Sequence, residues 1–204
     1  MSKHCELLGL RLKLDDAITY GTKKDALIIA KKGLERSRLQ NFAGEAEYFN
    51  GQLDILNKNY VSAIEHFNAA IKFNPLDGAA FNDKALCMVE LGLIDEAIYY
   101  FDKGIEAEPD YATIYHNKGW LLNNIGLHTE AIKCLTKALK LESGRAVTYD
   151  SLADAYFNLG KYKDALEAYR NVVKFLKPGC CTRIKKEIEK KIIQLGVKVK
   201  ELSV

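Results

Sequence analysis

Apolar residues recur along this chain with the period of an α-helix rather than that of a β-strand. Within residues 78–93 they fall on one side of a predicted helix, at Phe81, Ala85, Met88 and Leu91. Gly92 follows, and glycine allows a helix to end in a left-handed turn. A second apolar stripe then runs from Ala97 to Ile105. The pattern predicts two consecutive helices joined by a short turn.

The two-helix pattern repeats every 34 residues. Repeats that start at Gly44, Gly78, Ala112 and Ala146 align an alanine column in each second helix: Ala63, Ala97, Ala131 and Ala165. Four residues later comes a column of large apolar side chains: Phe67, Phe101, Leu135 and Tyr169. A column of small residues stands twelve positions before the alanines: Gly51, Ala85, Gly119 and Ala153. Pro75 and Pro109 close the first two repeats.

This length and this pattern of small, alanine, aromatic and proline positions resemble the tetratricopeptide repeat (TPR) family. The resemblance implies an all-α fold, a right-handed α-solenoid (a TPR superhelix) of antiparallel helix pairs. The predicted repeats are residues 44–77, 78–111, 112–145 and 146–179, in one continuous solenoid domain. One helix pair cannot bury both of its faces, so each repeat needs a neighbour.

The two ends of the array depart from the repeat. Residues 7–40 form a degenerate first repeat, in which Gly21, Ala26, Ala30 and Gly33 take the column positions. Leucines at every second position from Leu8 to Leu14 also alternate as in a strand. The C-terminal capping helix is assigned to residues 182–198. Its regular helical pattern covers residues 182–195, with Gly196 as the expected stop and one apolar stripe formed by Ile184, Ile188, Ile192 and Leu195.

Charge is distributed unevenly, although the whole chain carries only +3. Residues 1–43 carry +4, residues 44–112 carry −9 and residues 113–204 carry +8. We find no signal-peptide pattern and no apolar run of membrane-spanning length, and the five cysteines show no C-x-x-C spacing. We therefore expect a cytoplasmic protein without a membrane segment. Cys180 and Cys181, adjacent in a predicted loop beside basic residues, are the two candidates for a reactive thiol.

No known catalytic or cofactor motif is present. The histidines are too far apart for a local metal motif, and the glycines follow the repeat rather than a phosphate-binding pattern. We expect no enzyme activity, no cofactor and no metal site.

In the family that this chain resembles, the first helices of successive repeats line a groove that binds peptides. Helical geometry selects the lining positions. The candidate groove residues are Tyr48, Phe49, Gln52, Asn82, Asp83, Leu86, His116, Asn117, Trp120, Asn124, Asp150, Ser151 and Asp154. Tryptophan is the residue type most enriched at binding hot spots, and Trp120 is the only one. Two alternatives stay open: Trp120 packs into the core, or the N-terminal repeat shields Tyr48 and Phe49.

The chemistry of these positions constrains the partner. They lack Lys and Arg, they include several carboxylates, and their amides can pair with any peptide backbone. We expect a protein or peptide segment that is basic or neutral and has an apolar anchor. The Lys, Asn and Arg set by which co-chaperones of this family hold a carboxylate terminus is missing, which argues against Hsp70 and Hsp90 C-terminal tails.

The leading hypothesis is a non-catalytic adaptor, scaffold or chaperone. A second is self-assembly into a homo-oligomer, in which the basic stretch from Lys186 to Lys200 docks into the acidic groove of another copy. A third is nucleic-acid binding through the same basic helix. No aromatic residues are interleaved there for base stacking, so the sequence argues against nucleic acid.

Overall fold

The structure is a computed structural model that describes residues 3–176 and 182–201. These residues form eleven helices and no strand. The helices are α1 (Lys3–Tyr20), α2 (Lys23–Leu39), α3 (Ala43–Leu56), α4 (Tyr60–Phe73), α5 (Gly78–Glu90), α6 (Ile94–Ala107), α7 (Ala112–Asn124), α8 (His128–Leu141), α9 (Ala146–Asn158), α10 (Tyr162–Phe175) and α11 (Thr182–Glu201).

The chain divides into two compact units, unit 1 (Met1–Pro109) and unit 2 (Asp110–Val204). In unit 1, α1 packs on α2, α2 on α3, α3 on α4, α4 on α5 and α5 on α6. In unit 2, α7 packs on α8, α8 on α9, α9 on α10 and α10 on α11, and α7 also contacts α9. The predicted all-α architecture of stacked helix pairs is confirmed.

The aligned columns form the core of both units. All four residues of the alanine column are fully buried, and so are Phe67, Phe101 and Leu135 of the large apolar column, while Tyr169 is 2% exposed. The small column explains how the paired helices come so close. A Cβ atom added to Gly119 would lie 2.7 Å from Leu135 Cγ, and one added to Gly51 would lie 2.8 Å from the Phe67 ring. Small residues at these crossings let the large column pack in the space beside them.

The turns between paired helices use the left-handed backbone region. Gly92, Gly126 and Gly160 have φ between 71° and 87° at equivalent positions of three repeats. Lys58 occupies the same position between α3 and α4, with φ of 63°. For a residue with a side chain this conformation costs about 1–2 kcal/mol, so the turn at Lys58 is more strained than the three glycine turns.

The N-terminal leucines belong to a helix, not to a strand. Leu7, Leu10 and Leu14 are buried, whereas Leu8 and Leu12 are more than half exposed. That spacing of three and four residues is the period of one helix face. α2 then begins after Thr22, whose hydroxyl accepts a hydrogen bond from the Asp25 amide in a capping box.

The expected stop of the last helix at Gly196 is wrong. α11 continues to Glu201 and Gly196 is helical. One interior glycine costs a helix only about 1 kcal/mol. The residues beyond it make compensating contacts, since the Lys198 ammonium lies 4.1 Å from the centre of the Tyr162 ring. Of the predicted apolar stripe, Ile188 and Leu195 are buried, whereas Ile184 is 44% exposed. The basic stretch of the self-assembly hypothesis is therefore part of a helix that packs on its own unit.

Candidate functional site

The first predicted groove residues, Tyr48 and Phe49, are buried within unit 1. Tyr48 is 6% exposed and Phe49 is fully buried, in a cluster that includes the leucines of α1 and the alanines of α2. A Cβ atom on Gly33 of α2 would lie 2.3 Å from the Phe49 ring. The shielding by the N-terminal repeat, one of the two alternatives, is what the structure shows. These aromatic side chains present no surface to a ligand.

Arg11 of α1 lies beside Tyr48 and binds two carboxylates of unit 1. Its guanidinium lies 3.6 Å from the centre of the Tyr48 ring. Its Nε donates to Glu45 Oε2 at 2.9 Å, and its two terminal nitrogens donate to the two carboxylate oxygens of Asp77 at 2.9 and 2.8 Å. This fork geometry, in which the side chain of Arg11 is only 14% exposed, is the strongest form of an ion pair. Two carboxylates of the acidic segment thereby share one cation within the unit itself.

The remaining polar candidates of unit 1 also bond to one another. Asp83 accepts hydrogen bonds from Gln52 Nε2 and from Asn82 Nδ2, and Tyr48 is a further side-chain partner. Gln52 and Asn82 are only 3% and 2% exposed. Burial raises the pKa of Asp83 to about 7, although these hydrogen bonds act in the opposite direction. The amides expected to bind a ligand instead satisfy this carboxylate. Leu86 is partly buried beside them.

On α7 of unit 2 the candidates are more accessible toward the carboxyl end of the helix. His116 is enclosed, and burial together with the Arg145 charge lowers its pKa to about 3, so its ring is neutral. Asn117 is partly buried. Trp120 is 39% exposed and Asn124 is exposed. The alternative that Trp120 is a core residue is therefore not what the structure shows.

On α9 the candidates carry negative charge that is partly compensated. Burial, and then the charge of Asp154, raise the pKa of Asp150. Asp154 accepts hydrogen bonds from the Tyr169 hydroxyl and from Lys191 Nζ, the latter at 3.1 Å. Ser151 donates to the backbone carbonyl of Val147 at 3.2 Å.

Phe157, at a lining position of the fourth repeat but outside the shorter list of candidates, is 43% exposed near the end of α9. The ends of α7 and α9 are joined, because Asn158 Nδ2 donates to Asn123 Oδ1 at 3.2 Å. We call the surface formed by Trp120, Asn123, Asn124, Phe157 and Asn158 the α7–α9 face. It combines two exposed aromatic rings with three amides. Phe157 occupies one of the lining positions that helical geometry selects, so its exposure was open to prediction.

A cavity of about 470 Å³ opens on unit 2 between α9, α10 and α11. Its lining residues, which we call the α11 pocket, are Asp154, Phe157, Tyr169, Lys191, Gln194, Leu195 and Lys198. Sequence reasoning missed it because only the first helices of the four repeats were considered as lining. The signal was present in the sequence, since Lys191 and Lys198 are seven residues apart and share one side of the helix. The premise that the candidate surface lacks cations therefore does not hold in unit 2.

The described residues contain no group of three or more His, Cys, Asp or Glu side chains that could hold a metal ion. Among the helices of residues 3–176 and 182–201, none has the length and apolar character required to cross a bilayer. The Cys87 side chain is buried and that of Cys5 is exposed. Cys180 and Cys181 lie outside the described residues.

Comparisons with known proteins agree with this architecture. Three tetratricopeptide repeat models match residues 57–112, 112–144 and 145–177. No curated protein sequence matches the chain. Among solved structures, the TPR protein TTC0263 of Thermus thermophilus is similar with a TM-score of 0.71 at 18% identity, over 92% of this chain and 97% of that one.

Two further similar structures have titles that mention peptides. YrrB, described as a TPR protein with an unusual peptide-binding site, has a TM-score of 0.56 at 18% identity and covers 92% of this chain and 88% of its own. The first TPR domain of Spaghetti (RPAP3), bound to an HSP90 peptide, has a TM-score of 0.55 at 18% identity, over 61% of this chain and 94% of that one. At these identities the likeness concerns the fold. The three family models, which together match residues 57–177, show that the chain belongs to the tetratricopeptide repeat family.

Proposed function

We propose that this protein is a non-catalytic interaction scaffold that holds a segment of a partner protein on the α7–α9 face. The observation that carries the proposal is the exposure of Trp120 and Phe157 on two adjacent helices. Large aromatic side chains that are exposed to water provide apolar surface that a partner can bury, and such residues contribute most of the binding energy of protein interfaces.

The amides that flank the aromatic residues suit a peptide backbone. Asn124 and Asn158 are exposed, and Asn123 accepts hydrogen bonds from Asn158 and from the His128 ring. An amide can donate to a carbonyl and accept from an N–H group, whatever the sequence of the bound segment. The face therefore favours a segment with one apolar anchor, in which specificity comes from the anchor and its flanking residues.

The peptide-bound TPR domain and the peptide-binding TPR protein support this function by analogy of fold. Within unit 1 the same column positions are buried or engaged with Arg11 and Asp83, so we assign them a supporting role. We propose that the partner segment is neutral or basic where it passes the carboxylate of Asp150.

The test is affinity capture with matched variants. Trp120→Ala combined with Asn124→Ala should lose the partners that the unaltered protein captures from a native lysate, while the far-UV circular dichroism stays the same. Tyr99→Ala removes an aromatic side chain that is 54% exposed on a second helix of unit 1 and serves as the control. A peptide selected from a random display library on the unaltered protein gives a Kd for each variant.

Retention of every partner and of peptide affinity by the double variant would overturn the assignment of the face. Equal losses in the double variant and in Tyr99→Ala would show that binding depends on surface aromatic residues in general, and would also contradict it.

A further inference from the structure

The α11 pocket is large enough for an apolar side chain together with a neighbouring polar one, and part of its wall is buried. Its volume of about 470 Å³ lies in the range of about 300–1,000 Å³ that is common for ligand pockets. Tyr169 and Leu195 form the buried part of its wall, at 2% and 4% exposure. Phe157 belongs both to this pocket and to the α7–α9 face, so a segment bound on the face can reach the pocket.

The two lysines of the pocket are in different electrostatic states. Lys191 is engaged, since its Nζ atom lies 3.1 Å from Asp154 Oδ1 and 3.2 Å from the Tyr169 hydroxyl. The Lys198 ammonium lies over aromatic rings, at 4.1 Å from the centre of Tyr162 and 5.8 Å from that of Phe157. Among the described side chains, no carboxylate lies within ion-pair distance of Lys198. One cation at the pocket is thus without an anionic partner in the described part of the chain.

The helix that supplies this cation is itself basic. Residues 182–201 contain seven Lys or Arg and three Glu, a net charge of +4. The one carboxylate that lines the pocket, Asp154, is already paired with Lys191. The electrostatic potential at the pocket therefore favours the binding of an anionic group and opposes that of a cationic one.

We infer that the α11 pocket binds an apolar side chain of the partner segment that stands next to an Asp or Glu residue, whose side-chain carboxylate pairs with Lys198. The inference rests on the proposed function and adds the chemistry of the segment at the α11 end of the face. A carboxylate paired with an ammonium forms a charge-assisted hydrogen bond, which is stronger than a neutral one. The apolar neighbour supplies the buried area.

The experiment uses short peptides that are acetylated and amidated, so that their ends carry no charge. Three sequences are compared: Glu-Leu-Glu, Gln-Leu-Gln and Lys-Leu-Lys. Binding to the full chain is followed by the shifts of the backbone amide signals in two-dimensional NMR. We expect the acidic peptide to shift the signals of Gln194 and Leu195, with about tenfold tighter binding than the glutamine peptide, and we expect no binding of the lysine peptide.

The matched variants are Lys198→Met and Lys186→Met. Methionine keeps an apolar side chain of similar length, and Lys186 is exposed on the same helix but does not line the pocket. We expect Lys198→Met to lose about tenfold in affinity for the acidic peptide and Lys186→Met to keep it. Circular dichroism verifies that both variants are folded.

Equal affinity for the acidic and glutamine peptides, or an unchanged affinity in Lys198→Met, would overturn the inference. A Gln-Leu-Gln peptide with a free terminal carboxylate that binds more tightly than the amidated acidic peptide would also overturn it, because the carboxylate would then come from a chain end. If the display-selected peptide depends on Trp120 but not on Lys198, this inference fails while the proposed function stands. If that peptide depends on neither residue, both fail.

Discussion

The same lining position of the repeat is buried in unit 1 and exposed in unit 2. Gln52 of α3 and Trp120 of α7 both occupy the ninth position of a repeat, and they are 3% and 39% exposed. In unit 1 the position is covered, and its polar groups bond to Asp83 and neighbouring side chains. In unit 2 the aromatic ring stays in contact with water. The repeat thus determines which side of a helix a residue occupies, while neighbouring side chains determine whether that side is available.

The two units also differ in how their cations are paired with carboxylates. Arg11 in unit 1 has all of its charge engaged with Glu45 and Asp77. Unit 2 has two lysines on one side of α11, of which Lys191 is paired with Asp154 while Lys198 lies over aromatic rings. Where the unit satisfies its own charges, the face contributes to stability. Where a cation has no carboxylate partner among the described side chains, as at Lys198, we propose that it contributes to binding.

The largest expected effect tests the burial of Phe49. Phe49→Ala should lower the free energy of unfolding by about 3–5 kcal/mol, because a fully buried phenylalanine leaves a cavity. Trp120→Ala, in which a larger but exposed side chain is removed, should cost about 0.5 kcal/mol. Urea unfolding followed by circular dichroism measures both. Similar losses in the two variants would remove the contrast between the units.

The next effect concerns the ion pairs. Arg11→Met should cost about 3 kcal/mol, because it leaves two largely buried carboxylates without their partner. Lys191→Met should cost at most about 1 kcal/mol, since its pair with Asp154 is more than 40% exposed on both sides. The measurement is again urea unfolding. A cost below about 1 kcal/mol for Arg11→Met would contradict the role of Arg11 in stabilising unit 1 through Glu45 and Asp77.

The third expected effect is a pH dependence of opposite sign in the two units. The pKa of Asp83 is raised to about 7, above its unfolded value of about 3.9, so its contribution to stability falls as the pH rises from about 4 to 7. The pKa of His116 is lowered to about 3, below its unfolded value of about 6.5, so its contribution falls as the pH drops below about 6.5. We therefore compare unfolding free energies at pH 5 and pH 7.5.

We take the free energy of unfolding at pH 5 minus that at pH 7.5. In Asp83→Asn this difference should be about 1–2 kcal/mol smaller than in the unaltered protein, and in His116→Gln it should be larger by a similar amount. The exposed Asp95→Asn is the control and should change the difference by less than about 0.5 kcal/mol. Shifts of the same sign in Asp83→Asn and His116→Gln would contradict the assignment of these two groups.

Periodicity in the sequence was sufficient to predict the helix pairs and the buried columns. Ala63 and Phe67 repeat at a fixed spacing, and only a helix stacked against its neighbours buries every copy of such a column. The turn glycines followed from the same period. Lys58 in place of the first of them shows that the backbone conformation is imposed by the fold even where the residue is unfavourable.

Local patterns could not predict which lining positions are accessible. The burial of Tyr48 and Phe49 depends on contacts with α1 and α2, which come from a repeat of weaker pattern. α11 continues past Gly196, and beyond that residue Lys198 lies over the Tyr162 ring, a contact between residues far apart in sequence. Both are tertiary effects that override local propensity.

The fluorescence of Trp120, the only tryptophan, reports whether a bound segment covers the α7–α9 face. We expect a saturating amount of the display-selected peptide to shift its emission to shorter wavelength and to reduce its quenching by acrylamide, because the ring leaves water when the segment binds. If the peptide binds at saturation while emission and quenching stay as in the free protein, the α7–α9 face is not the binding site.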